Sequence, residues 1–135
     1  MTEFKIAVGL GCDRNTPLTH LECALEQALG LAHLNAEQIA CFASIEAKSD
    51  EVAILALAQK FQVPLRFFSA PTLAAVPVPN PSATVLRYMG TPSVSEAAAI
   101  LAASGSAEDL LVEKHKYRGA DLKNATISIT RIKHD

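Results

Sequence analysis

Short unbroken apolar runs alternate with longer stretches in which apolar residues recur every three or four positions. Phe4 to Leu10 (Phe-Lys-Ile-Ala-Val-Gly-Leu) is mostly apolar and stops at Gly11, which predicts a buried strand over 4–10. Thr16-Pro17 supplies an N-cap and a first-turn proline. Leu18, Leu21, Leu25, Ala28 and Leu29 then repeat at helical spacing with Glu22 and Glu26 on another face, and Gly30 marks the stop. Ile39 to Ile45 is a second run, too short for an independent helix and suited to a central strand. Ser49 or Asp50 caps a helix over about 50–61, and residues 64–69 read as a third strand. The order β-α-β-α-β with short joins predicts a parallel sheet with right-handed crossovers.

The second half is patterned differently. Pro71, Pro77, Pro79 and Pro81 make 70–81 a loop with at most one helical turn. Asn80-Pro81-Ser82 starts a short helix to about Met89. Ser93-Val94-Ser95-Glu96 is a capping box that opens an alanine-rich helix to about Ala103. Leu110–Val112 is a fourth strand. Ala125–Ile132 alternates Thr126, Ser128 and Thr130 against Ile127 and Ile129, as a strand with one polar face does. These two form an antiparallel pair joined by a polar loop over 113–124. The expected fold class is α/β, a three-layer α/β/α arrangement with a mostly parallel sheet and a C-terminal antiparallel pair, in one domain over 1–135.

Composition narrows the function. Of 135 residues 50% are hydrophobic and 19% charged, which excludes a disordered chain. A net charge of −2 gives no reason to expect nucleic acid as a partner. Cys12, Cys23 and Cys41 are odd in number and lack C-x-x-C spacing, so reduced thiols in a cytoplasmic protein are expected. No stretch approaches the roughly 20 apolar residues of a membrane span. The histidines form no ligand pair, and neither a metal nor a cofactor is expected.

In open α/β sheets ligands bind outside the carboxyl ends of the strands. Three segments should therefore converge there: Gly9–Thr16, Glu46–Glu51 and Ser69–Thr72. Gly9 and Gly11 let backbone N–H groups turn toward an anion at the following helix start. The alternative is a plain strand-to-helix turn that needs small residues. The third glycine of a dinucleotide fingerprint is missing, because Arg14 occupies its place, and there is no P-loop ending. Cys12, next to a helix start and Arg14, is a candidate nucleophile, but no histidine lies near it in sequence and a small residue suits the turn. Lys48, Asp50 and Glu51 could orient a substrate carboxylate or act as acid and base; they could equally cap a helix. Half of the chain's twelve basic residues (Lys114, Lys116, Arg118, Lys123, Arg131, Lys133) lie beyond position 113 and either recruit a polyanion or form a solvated loop. Gly9, Gly11 and Cys12 are expected on one concave surface with Lys48 and Ser69.

The motif order resembles a family. Gly9-Leu10-Gly11-Cys12, Lys48-x-Asp50-Glu51, Arg66-Phe67-Phe68-Ser69, Val78-Pro79-Asn80-Pro81-Ser82, Gly90-Thr91-Pro92-Ser93-Val94-x-Glu96-Ala97-Ala98 and Lys114-x-Lys116 are similar to the CobE / CbiG C-terminal family of cobalamin biosynthesis. The first motif of that family usually continues with basic residues and a glycine, from which Asp13 and Asn15 depart. The resemblance implies a three-layer α/β fold and a ligand of precorrin or corrinoid type, a flat apolar macrocycle rimmed by acetate and propionate carboxylates. Gly9, Gly11, Cys12, Arg14, Lys48, Ser69, Asn80, Ser82, Lys114 and Lys116 are the expected ligand-binding positions, with Phe67 and Phe68 beside the ring. Three functions follow as alternatives: binding or carrying such an intermediate; hydrolysis of the cobalt-precorrin-5A lactone with release of acetaldehyde, using Lys48 with Asp50 or Glu51, or Cys12; and non-catalytic scaffolding of other pathway enzymes.

Overall fold

The computed structural model of the chain describes residues 4–79 and 94–132. The elements are β1 (Ile6–Cys12), α1 (Leu18–Leu31), β2 (Ile39–Ile45), α2 (Val52–Phe61), β3 (Leu65–Phe68), α3 (Ala70–Ala74), α4 (Val94–Ala103), β4 (Leu110–Arg118) and β5 (Asn124–Arg131). They build one five-stranded sheet in the order β3-β2-β1-β5-β4. β1, β2 and β3 are parallel, whereas β5 runs antiparallel to both β1 and β4. The sheet is thus mixed, with two parallel and two antiparallel pairings, because β5 inserts beside β1 as well as pairing with β4. The helix expected from Asn80 lies outside the described residues.

Strand alternation sorts the side chains onto two faces. Ile6, Val8 and Leu10 of β1 pack with Leu21, Leu25 and Ala28 of α1, with Ile54 and Leu57 of α2, and with Ile127 and Ile129 of β5. On the opposite face Ala7 clusters with Cys41 and Ala103, and Ala43 and Ile45 cluster with Leu73 of α3 and with Ala97 and Ala98 of α4. This second face is built from small residues, so α4 can lie close to the strands. Gly9 sets how close. A Cβ at Gly9 would stand 1.8 Å from the Ser95 carbonyl oxygen and 2.9 Å from the Ala99 nitrogen. Beneath that contact the Ser95 and Ser128 hydroxyls hydrogen-bond at 2.8 Å, so both polar groups are satisfied where they are buried.

Several boundaries move relative to expectation, each for a tertiary reason. β1 continues through Gly11 to Cys12, since β5 pairs with it along its full length from Ile6↔Arg131 to Cys12↔Ala125. The two glycines are therefore strand residues and not an anion-turned loop. α1 starts after Pro17 with no side-chain cap, and the Thr16 hydroxyl instead donates to the Asp13 carbonyl at 2.6 Å. β4 extends to Arg118, so Lys114 and Lys116 lie on an edge strand. The loop shrinks to 119–123. β4 carries register shifts between Leu110 and Val112 and again between Val112 and His115. Such bulges, with the adjacent lysines, blunt an edge strand against pairing with other chains.

The fold makes an asymmetric prediction for two neighbouring glycines. Gly9→Ala forces α4 off the sheet and should cost at least about 2 kcal/mol in urea unfolding. Gly11→Ala, whose Cβ would meet only the Thr126 Cβ at 3.8 Å among the described residues, should change stability by less than about 0.5 kcal/mol. Equal losses in both variants would contradict this account of α4.

Candidate functional site

The carboxyl ends of β1 and β2 are tied together by a charged latch. Arg14 Nη1 donates to Asp50 Oδ1 at 2.8 Å and to Glu51 Oε2 at 3.0 Å, and Nη2 donates to the Ala47 carbonyl at 2.9 Å. Glu51 is only 3% exposed, and its other oxygen accepts the Asn15 backbone N–H at 2.8 Å. Asn15 holds φ 62°, left-handed backbone that asparagine tolerates better than most residues. Hydrogen bonding from Arg14 holds the exposed Asp50 carboxyl below its ordinary range. Glu51 accepts from both a guanidinium and an amide, and Arg14 is consumed by three acceptors. These groups join two loops.

Cys12 continues the Ile6–Val8–Leu10 series and packs at the rim of the α1/α2 core. Burial pushes its thiol up to about 11; Glu51 and Asp13 add to the rise, while Lys48 and a hydrogen bond with Thr16 partly oppose it. A thiol this protonated is a poor nucleophile at neutral pH. Alternation places Gly9 and Gly11 on the opposite face from Cys12, so the three do not share one surface. Gly9 is buried under α4. Ser69 caps α3, its hydroxyl accepting the Thr72 N–H at 3.3 Å. Phe67 packs against the α1/α2 core and Phe68 against the α3/α4 cluster, so the two rings are split between faces. Lys48 closes a short 3-10 turn over Glu46–Lys48 and is half-buried. Asn80 and Ser82 lie outside the described residues.

The α4 face of β1, β5 and β4 holds a grouping that sequence reading only partly anticipated. Gly11 pairs with Thr126, and Thr126 pairs with Lys116. Directly opposed residues point to the same face, so these three form one cross-strand row. Arg118, opposite Asn124, lies on that face one rung nearer the hairpin. Gly11 and Thr126 are partly exposed, and Lys116 and Arg118 are exposed. Among the described residues Lys114, Lys116 and Arg118 make no ion pair. Asp13, at the end of β1, is occupied: its Oδ2 accepts the Asn124 backbone N–H at 2.8 Å and the Nδ2 donor at 3.1 Å. Thr126 was missed, and Arg118 was read only as one cation of a polar loop, because their place in this row depends on which strand pairs with β1. The alternation of Thr126 with Ile127 showed a polar face but not its neighbours.

The hairpin that carries this row is held firmly. Lys123 Nζ donates to the Arg14 and Asn15 carbonyls, both at 3.2 Å, and His20 Nε2 meets Asp121 Oδ1 at 2.9 Å. The His20 ring also stands edge-on to Tyr117 with centroids 5.5 Å apart. Among the described residues no group of histidine, cysteine or acidic side chains could hold a metal ion, and no helix is long and apolar enough to cross a membrane.

Glu51→Ala should lose about 1–3 kcal/mol in chemical unfolding, because the Asn15 N–H and Arg14 lose a buried acceptor. Asp50, whose folded pKa is lowered, stabilises the latch above its ordinary value of 3.8 and stops doing so as pH falls through the lower folded value. Asp50→Asn should therefore lower neutral stability slightly, since the pair is exposed, and flatten the loss of stability as pH falls from 3.8 to that lower value, with no difference below it. With its thiol near 11, Cys12 is about one-thousandth thiolate at pH 8. Its alkylation by iodoacetamide, followed by peptide mass mapping, should stay slow there and accelerate toward pH 11. Rapid labelling at pH 7 would contradict the assignment.

Comparison with known proteins places this arrangement. The family described as cobalamin synthesis G C-terminus matches residues 6–130. The chain is 40% identical over 111 residues to a protein named CobE from Sinorhizobium sp, covering 81% of this chain and 71% of that one. It is 30% identical over 130 residues to a cobalt-precorrin-5A hydrolase of Priestia megaterium, covering 96% of this chain but only 33% of the relative. A crystal structure of CobE, described as a protein from the cobalamin (vitamin B12) biosynthetic pathway, superposes with a TM-score of 0.79 at 30% identity, covering 96% of this chain and 95% of that one. With matched residues, identity and fold in agreement, the chain belongs to the CobE / CbiG C-terminal family and is a protein of cobalamin biosynthesis.

Proposed function

We propose that this chain binds or carries a precorrin or corrinoid intermediate at the carboxyl edge of β1 and the adjoining β5–β4 hairpin. The observation that carries the reading is the run of cations Lys114, Lys116 and Arg118 on one strand, unpaired among the described residues in a chain of net charge −2. A macrocycle rimmed by carboxylates is complementary to such a strand. Each exposed cation–carboxylate contact is worth only roughly 0.2–1 kcal/mol, so affinity requires several contacts together with burial of the apolar ring. On this reading residues 1–135 form one cytoplasmic domain of three-layer α/β/α architecture, with no nucleic-acid or membrane partner. Lys48 and Ser69 sit at the rim of the same edge, and other pathway enzymes are the proteins it would meet when handing its ligand on.

A second reading, lactone hydrolysis, is favoured by the 30% identity to a protein named as a cobalt-precorrin-5A hydrolase, of which this chain spans a third. Of the residues named for it, Asp50 and Glu51 are held by Arg14 in the latch, and burial raises the Cys12 thiol to about 11, which supports binding over hydrolysis. Incubation with cobalt-precorrin-5A should thus release no acetaldehyde, and release would establish the second reading.

Titration with dicyanocobyrinic acid should give a saturable shift of the visible band, and no change at high micromolar ligand would overturn the binding reading. Lys114→Ala with Lys116→Ala should weaken binding by roughly 3- to 10-fold and flatten its salt dependence, since charge contacts are screened beyond about 8 Å at physiological ionic strength. An unchanged salt slope would mark these lysines as merely solvated.

A further inference from the structure

The polar row on the α4 face has a floor that lacks a side chain. The first described turn of α4 rests on Gly9, and Ala103 at its other end clusters with Ala7, so the helix runs antiparallel to β1 and Gly11 lies two residues further along the strand, past Gly9. Gly11 needs no unusual backbone conformation, and among the described residues only the Thr126 Cβ approaches a Cβ built there, at 3.8 Å. A glycine used for packing, like Gly9, meets backbone within 3 Å; Gly11 does not. Its bareness leaves the sheet face at this partly exposed position open among the described residues, bounded by the Thr126 hydroxyl and, two strand spacings or about 10 Å away, by Lys116. Arg118 follows on the same face. The position is also where the topology changes: α1 lies on one face over β5 and β4 with α2 beside it, α4 covers the other face, and the pairing switches from parallel to antiparallel between β1 and β5. Ligands of open α/β sheets settle at such a switch point.

We infer that the shelf floored by Gly11 and edged by Thr126, Lys116 and Arg118 is the seat of one carboxylate-bearing edge of a flat macrocycle, with Gly11 leaving room for the ring and Lys116 and Arg118 pairing with its acidic side chains. This rests on the binding reading above and adds the face, the Gly11 floor and Thr126. The opposite rim, with Cys12 and the Arg14–Glu51 latch, takes no part. Recognition depends on ionised carboxylates, so a corrinoid whose side chains are amidated binds more weakly.

The test compares wild-type protein, Gly11→Leu, Lys116→Glu with Arg118→Glu, and a charge control, Lys60→Ala on α2, each checked for an unchanged thermal midpoint. Binding is read by visible titration with dicyanocobyrinic acid, its amidated counterpart dicyanocobinamide, and uroporphyrin, a flat non-corrinoid polycarboxylate. The expected result is at least about 30-fold weaker cobyrinic acid binding for Gly11→Leu and at least about 10-fold for the double reversal, no change for Lys60→Ala, and weaker binding of cobinamide to wild type. If Gly11→Leu lowers the midpoint, the double reversal decides. Wild-type binding that survives the double reversal, or that survives a folded Gly11→Leu, overturns the shelf and leaves the binding reading standing. Uroporphyrin binding with the same variant pattern but no cobyrinic acid binding keeps the shelf as a polycarboxylate site and overturns the corrinoid reading. Binding of neither probe overturns both.

Discussion

The Ser95 carbonyl lies where a side chain at position 9 would project, 1.8 Å from the place of its Cβ. That contact sets the depth at which α4 beds into the sheet, and the small residues Ala7, Ala43, Ala97 and Ala98 extend it. Close bedding has a second consequence two residues along the strand. The first described turn of α4 lies over Gly9, and among the described residues only the Thr126 Cβ comes within 4 Å of a Cβ built at Gly11 on the same face. On the proposed reading, packing depends on one glycine and ligand access on the other, although the two look alike in sequence.

Charge is divided along the same line. On the α1/α2 side of the strand ends, Arg14, Asp50 and Glu51 neutralise one another and fasten two loops. Around the hairpin tip, Lys123 and Asp121 are likewise held, by the Arg14 and Asn15 carbonyls and by His20. The cations on β4 are left over. Among the described residues no acid pairs with them, while the Lys123, Asp121 and His20 contacts hold the hairpin that presents them. Membership of a cobalamin-biosynthesis family supplies a ligand class with the matching charge and a flat apolar body.

Much of the fold was legible because local pattern and tertiary need agree. β2 spans Ile39–Ile45, as its apolar run implies, and the helical repeat from Leu18 to Leu29 is α1. The motif order likewise pointed to the correct family. The site was less legible. A run such as Ile-Ala-Val-Gly-Leu-Gly-Cys announces a buried strand but does not reveal that β5 will extend it through Cys12. Once it does, alternation sends Gly11 and Cys12 to opposite faces and ends any shared surface. The polar stretch from Glu113 reads as a loop because an edge strand needs no apolar alternation; only pairing with β5 makes it β4. Thr126 could not be assigned, nor Arg118 placed in the same row, without knowing that pairing, since nothing local distinguishes them from solvated strand residues.

The central claim is that ligand is held on the α4 face at the β1–β5 switch point. Amide and side-chain NMR of the isotope-labelled protein during titration with dicyanocobyrinic acid tests it most directly. The account predicts that the largest shifts fall on Gly11, Thr126, Lys116 and Arg118, with Cys12 and the α1/α2 face nearly unmoved. Shifts centred on Cys12, Lys48 and Glu51 instead, with the Gly11–Lys116 row silent, would contradict it.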